Sequence, residues 1–157
     1  MESELFGIAE RLGLSLKAAG LTIATAESCT GGWIAQVITD VPGSSSWFDR
    51  GFVTYSNAAK IEMLGVKPQT LEVYGAVSQE TAIEMAFGAL AHSHADRAIA
   101  VTGIAGPDGG TAEKPVGTVY IAWADNNGLT KALKNQFEGD RRQIRMQTVI
   151  AALEGCL

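Results

Sequence analysis

The run Leu21-Thr-Ile-Ala-Thr-Ala-Glu-Ser-Cys-Thr-Gly-Gly-Trp-Ile-Ala-Gln-Val-Ile-Thr39 decides how the rest of the chain is read. Leu21–Ala26 is apolar and strand-like, and Ile34–Thr39 is apolar and helix-like. Between them, Glu27–Gly32 packs a carboxylate, two hydroxyls, a thiol and two glycines into six residues. A strand that turns into a helix through small polar residues exposes backbone N–H groups at the helix start, where the dipole favours an anion. The same residues also suit a plain polar turn with Ser28 or Thr30 as the helix N-cap.

Working outward, Glu4–Ala19 carries Leu5, Ile8, Ala9, Leu12 and Leu16 at helical spacing and closes at Gly20. Downstream, Val41-Pro42-Gly43 stops the helix over Trp33–Thr39, and Arg50–Tyr55 reads as a second strand. Ser56 is placed to cap a helix over Asn57–Leu64, Pro68–Tyr74 is a brief helical turn, and Ser78 caps a helix over Gln79–Ala91. Arg97–Thr102 is a third strand, followed by a glycine-rich loop over Gly103–Pro115. Val116–Ala124 alternates, Asp125-Asn-Asn-Gly128 supplies hairpin chemistry, and Leu129–Phe137 returns as a polar edge strand. Asp140 caps a last helix that runs to about Leu153. Strands and helices alternate early and a hairpin closes the sheet late. The prediction is α/β: a single three-layer α/β/α domain over residues 1–157 with a mixed sheet, its site at the C-terminal ends of the strands.

Composition narrows the function. The chain has 157 residues, 46% of them hydrophobic and 18% charged, which fits a folded domain and argues against disorder. A net charge of −5, with no basic cluster longer than Arg141-Arg142, makes nucleic acid and anionic membrane poor partners. No apolar run approaches the ~20 residues of a membrane span, and Met-Glu-Ser-Glu at the start has no signal pattern. Cys29 and Cys156 make no disulfide framework, so a cytoplasmic setting with reduced thiols is expected.

Chemistry has few places to sit. The loop Thr102-Gly-Ile-Ala-Gly-Pro-Asp-Gly-Gly110 fits neither G-x-G-x-x-G nor the lysine-containing P-loop, but it lets a small ligand approach the backbone. His92 and His94 lack metal-ligand spacing, and no G-x-S-x-G elbow seats a serine triad. Without a histidine base, a serine nucleophile needs another, and Lys60 is the candidate: desolvation in a partly dry cleft lowers a lysine pKa. Cys29 competes as a nucleophile, acidified by a nearby helix start, against a reading as a packing residue.

Six ordered stretches then carry a family resemblance. They are Thr25-Ala-Glu-Ser-Cys-Thr-Gly-Gly32, Gly43-Ser-Ser45, Gly51-Phe-Val-Thr-Tyr-Ser-Asn57 with Lys60, Gly75-Ala-Val-Ser78, Thr102–Gly110 and Lys114-Pro-Val-Gly-Thr118. Together they closely resemble the CinA C-terminal domain family, whose stand-alone members include bacterial nicotinamide-nucleotide amidases. The resemblance extends from the first helix to Gly139-Asp-Arg141. It implies hydrolysis of nicotinamide mononucleotide (NMN) to nicotinic acid mononucleotide and ammonia, a step of pyridine nucleotide salvage, without metal or organic cofactor. It implies Ser45 as nucleophile and Lys60 as general base, with Ser28, Tyr55 and Thr102 as supporting polar residues. Arg141 is the implied substrate-binding arginine, and Gly31, Gly32, Gly103 and Gly106 let substrate come close to the backbone. The alternative is a catalytically silent mononucleotide-binding or partner-regulating module of the same family. A homodimer is expected, with the hairpin Val116–Phe137 as its interface.

Overall fold

The computed structural model describes residues 2–157. At its centre, β1 (Ile23–Glu27) is buried along its whole length. It pairs in parallel with β2 (Phe48–Val53) on one side and β3 (Arg97–Gly103) on the other. Two antiparallel strands, β4 (Thr118–Asp125) and β5 (Thr130–Gln136), extend the sheet beyond β3, giving the order β2-β1-β3-β4-β5. One face is covered by α1 (Glu2–Ala19), α2 (Trp33–Thr39) and α6 (Arg141–Glu154). The other carries α5 (Gln79–Ala91), against which α3 (Asn57–Leu64) and α4 (Pro68–Tyr74) pack. This is the mixed-sheet α/β architecture expected from the sequence.

Period-two alternation makes the two faces unlike each other. Ile23, Ile99, Val101, Val119 and Ile121 point toward α1, α2 and α6, where they meet Leu12, Leu16, Ile34, Ile38, Ile144 and Leu153. Ala24, Ala26, Ala98, Ala100, Ala122 and Ala124 point the other way, onto Ala82, Met85, Ala86 and Ala89 of α5. Alanine on both surfaces lets α5 lie close to the sheet. Gly88 continues the theme: a Cβ there would stand 2.1 Å from the Leu64 carbonyl oxygen, so α3 rests directly on the α5 backbone.

Element ends differ from the sequence reading by a residue or two, for visible reasons. Trp47 O accepts a bond from Ile23 N at 2.9 Å, so pairing starts at Phe48 and not at Arg50. β2 ends at Val53, which takes Thr54 and Tyr55 out of the ladder and frees their carbonyls. Gly117, with φ of 95°, and a turn bond from Thr118 N to Pro115 O delay β4 to Thr118. Pro68–Tyr74 forms a regular seven-residue α-helix over the residues expected as a helical turn. The capping box on α6 is complete: Asp140 accepts from Gln143 N, and the Gln143 side chain accepts from Asp140 N. No helix among the described residues is long and apolar enough to cross a membrane.

Candidate active site

β1 and β2 end side by side, and the site grows from that point. Thr54 N donates to Glu27 O at 2.8 Å, and one residue further along β1 the chain places Ser28, whose N–H donates to Val101 O at 3.2 Å. Beyond β2, the Ser56 hydroxyl accepts from Ala59 N at 3.0 Å and starts α3 immediately, so Lys60 turns back under the strand ends. Its side chain is 1% exposed. The Nζ donates to Thr54 O at 2.9 Å and to Tyr55 O at 3.1 Å, and lies 2.9 Å from Ser28 Oγ. The sole ion pair among the described residues, Arg50 with Asp49, is elsewhere. Burial without a carboxylate partner therefore pushes the Lys60 amine below the usual lysine range, desolvation being the main cause.

The geometry of that amine is asymmetric in a useful way. Two of its neighbours are carbonyls, which can only accept, so two N–H bonds are committed to them. The third direction faces a hydroxyl, which can accept from an ammonium or donate to a neutral amine. Ser28 and Lys60 can thus pass one proton between them without any other group moving.

The pair forms the floor of a cleft of about 240 Å³, also lined by Cys29, Tyr55, Ala76, Val77, Thr102 and Arg141. Pockets that enclose a drug-sized ligand run to roughly 300–1,000 Å³, so this one seats a single ring and its substituent. Thr102 Oγ1 donates to Ala76 O at 2.8 Å and ties the wall to β3, while Ser78 and Thr81 hydroxyls both donate to Gly75 O at 2.8 Å. Gly103 lines the cleft where a Cβ would stand 2.6 Å from Val119. At the rim, Arg141 donates to Gly106 O at 2.7 Å and to the exposed Tyr55 hydroxyl at 3.3 Å, bridging the two sides. A hollow of about 290 Å³ at the opposite end of the sheet, between Arg97, Trp123 and Lys131, is larger but holds no nucleophile and base in contact.

Several sequence assignments need correction. Ser45 does not meet Lys60. It lies exposed in a 3₁₀ turn (Ser44–Ser46) beside Trp47, which pairs with the start of β1, whereas Ser28 follows its end. Five strand residues at ~3.3 Å each hold the two serines about 16 Å apart. Gly31 and Gly32 do not line the cleft; with φ of 62° and 103°, they make the left-handed turn into α2. Cys29 does border the cleft, but its thiol is buried and pushed up to about 12 by desolvation, so it packs and stays protonated. Arg142 turns away and lies over the Trp33 ring at 4.9 Å. His92 caps α5 at its C-terminal end, and no group of three His, Cys, Asp or Glu among the described residues could hold a metal ion.

Two contributors escaped the sequence reading. Glu27, fully buried, accepts from Thr30 Oγ1, from Ile34 N at 2.9 Å and from Ala35 N at 3.0 Å, pinning the loop that carries Ser28. Arg145 donates from Nε to Cys29 O at 3.0 Å and from Nη2 to Thr30 O at 3.1 Å. Its signal was present: it follows Arg141 by four residues, which puts both on one face of α6.

The family model described as the CinA C-terminal domain matches residues 6–157. "Nicotinamide-nucleotide amidohydrolase PncC" of Escherichia coli (strain K12) is 54% identical over 153 residues, covering 98% of this chain and 93% of that protein. A "CinA-like protein" of Geotalea uraniireducens is 56% identical over 135 residues, which are 86% of this chain but 32% of that longer protein. Among solved structures, the competence/damage inducible protein CihA from Agrobacterium tumefaciens superposes with a TM-score of 0.95 at 50% identity, covering 97% of this chain and 93% of that one.

Proposed function

We propose that this chain, which belongs to the CinA C-terminal domain family, hydrolyses the carboxamide of NMN to ammonia and nicotinic acid mononucleotide through Ser28 and Lys60. The observation that carries the reading is the 2.9 Å contact between Ser28 Oγ and a buried lysine with no anionic partner among the described residues. The substrate comes from the relative's name, and its shape suits the cleft: a pyridine ring with a small substituent at the floor, a phosphate at the rim.

The lowered pKa supplies Lys60 as a neutral amine, which takes the Ser28 proton while Oγ bonds to the carboxamide carbon. The C–N bond then breaks, and the same proton passes to the nitrogen, which leaves as ammonia. Water attacks the resulting ester on Ser28; Lys60 takes a proton from that water and returns one to Oγ. Arg141, with N–H groups beyond those held by Gly106 O and Tyr55, is placed to meet the phosphate. The reaction belongs to pyridine nucleotide salvage in the cytoplasm. The hairpin of β4 and β5 is our choice of homodimer interface, because Leu129 and Leu133 stand 71% and 51% exposed on it. With a net charge of −5, the chain is not expected to bind nucleic acid.

Ammonia release from NMN by the purified protein tests the assignment. Ser28→Ala and Lys60→Ala should each lower kcat by about 10³-fold or more, whereas Ser45→Ala should match wild type. A wild type inert toward NMN, or a fully active Ser28→Ala, would sink it.

A further inference from the structure

Building on Ser28 as the nucleophile, we propose that Arg145 is a positioning residue that holds the turn presenting the backbone N–H of Cys29 as an oxyanion donor. Ser28 O accepts from Gly31 N at 3.1 Å inside the turn. A trans peptide directs its N–H opposite to its carbonyl, so the Cys29 N–H points out of the turn. Cys29 O accepts from the Arg145 Nε at 3.0 Å. Among the described residues the Cys29 N–H donates to no oxygen. Buried N–H groups are rarely left so.

In hydrolases whose serine sits on a strand-to-helix turn, the residue after the nucleophile supplies one oxyanion donor; Cys29 is that residue, and it lines the cleft. The turn is clamped from two directions. Glu27 holds the Thr30 hydroxyl and the start of α2, and Arg145 holds the carbonyls of Cys29 and Thr30 with two different nitrogens. The Trp33 ring, 5.4 Å from the guanidinium carbon, orients the fork. A lysine at this position would reach one carbonyl as a point charge and leave the other unheld.

The decisive experiment measures kcat, KM and the pH profile on NMN for wild type, Arg145→Ala and Arg145→Lys, with thermal melts alongside. In both variants kcat should fall about 10²-fold, the cost of a lost oxyanion donor, with KM within about threefold because the lost contact is made in the transition state. The acid limb should stay where it is, since Lys60 is untouched. If Arg145→Ala does not fold, Arg145→Lys decides by the same criteria. A kcat close to wild type beside a lowered Tm would reduce Arg145 to scaffolding and overturn the inference, as would a raised KM with kcat intact. Should wild type itself release no ammonia, the assignment of the nucleophile fails first, and this inference with it.

Discussion

Lys60 shows how much one side chain can take from its surroundings. It is 1% exposed, its amine is held by two carbonyls and a hydroxyl, and no carboxylate among the described residues offsets the loss of water. Two consequences have definite signs. With the neutral amine as the proposed base, kcat/KM on NMN should rise with pH along an acid limb set by the lowered Lys60 pKa, and Lys60→Ala should lose that limb together with activity. In the unfolded chain a lysine titrates near ~10.4, so between the lowered folded value and that pH the unfolded state binds more protons and stability climbs with pH. Urea midpoints of wild type and Lys60→Met, compared at neutral pH and near pH ~10, should show this climb in wild type and a flatter profile in the variant. Cys29, its thiol at about 12, has no thiolate to offer near neutral pH. Cys29→Ala should therefore keep kcat within about twofold while losing roughly 1 kcal/mol of stability, read by ammonia release and by urea titration. Inactivation in that variant would restore the thiol as nucleophile.

At the scale of elements, α3 is short, and it is located by what it leans on. Its C-terminal carbonyl, Leu64 O, lies where a Cβ on Gly88 of α5 would be 2.1 Å away. Helix propensity alone favours Gly88→Ala by about 1 kcal/mol. The clash reverses that, and we expect a net loss of about 1–3 kcal/mol. Because α3 carries Lys60, the displacement should also lower kcat, which a parallel ammonia assay would register. A stabilised, fully active Gly88→Ala would contradict the packing described. On the other face, α6 brings Arg141 to the rim and Arg145 to the turn behind Ser28 from one helical stripe.

For the molecule as a whole, the sheet divides the core into a large-residue half and an alanine half, and the two should respond in opposite ways to substitution. Ile99→Ala opens a cavity and should cost about 2–5 kcal/mol. Ala100→Leu, its neighbour on the other face, should cost about 1–3 kcal/mol by pushing α5 off the strands. Chemical denaturation reads both. If Ala100→Leu were neutral, α5 would not be in close contact with the sheet.

Most elements were legible in the sequence because their causes are local. Period-two apolar runs, Ser56, Ser78 and Asp140 as caps, and the Asp125–Gly128 turn each act within a few residues. Lys60 was legible as a cleft residue, since a lysine on a short helix straight after a strand sits at the sheet end where clefts form. The identity of its partner was not. Ser45 and Ser28 lie on similar small-residue loops, and the sequence does not say which end of the sheet each loop occupies until strand direction is known. Parallel pairing of β1 with β2 settles it: Ser28 follows a strand, Ser45 precedes one, and only the first lies beside a lysine that also follows a strand. Arg145 reaches Thr30 across 115 residues of chain, a contact no local pattern specifies. The elements could be read from the chain's local patterns, because propensity, capping and side-chain period are short-range. Only the tertiary structure decides which serine stands beside Lys60 and which residues hold its turn, because those depend on which strand ends are brought together.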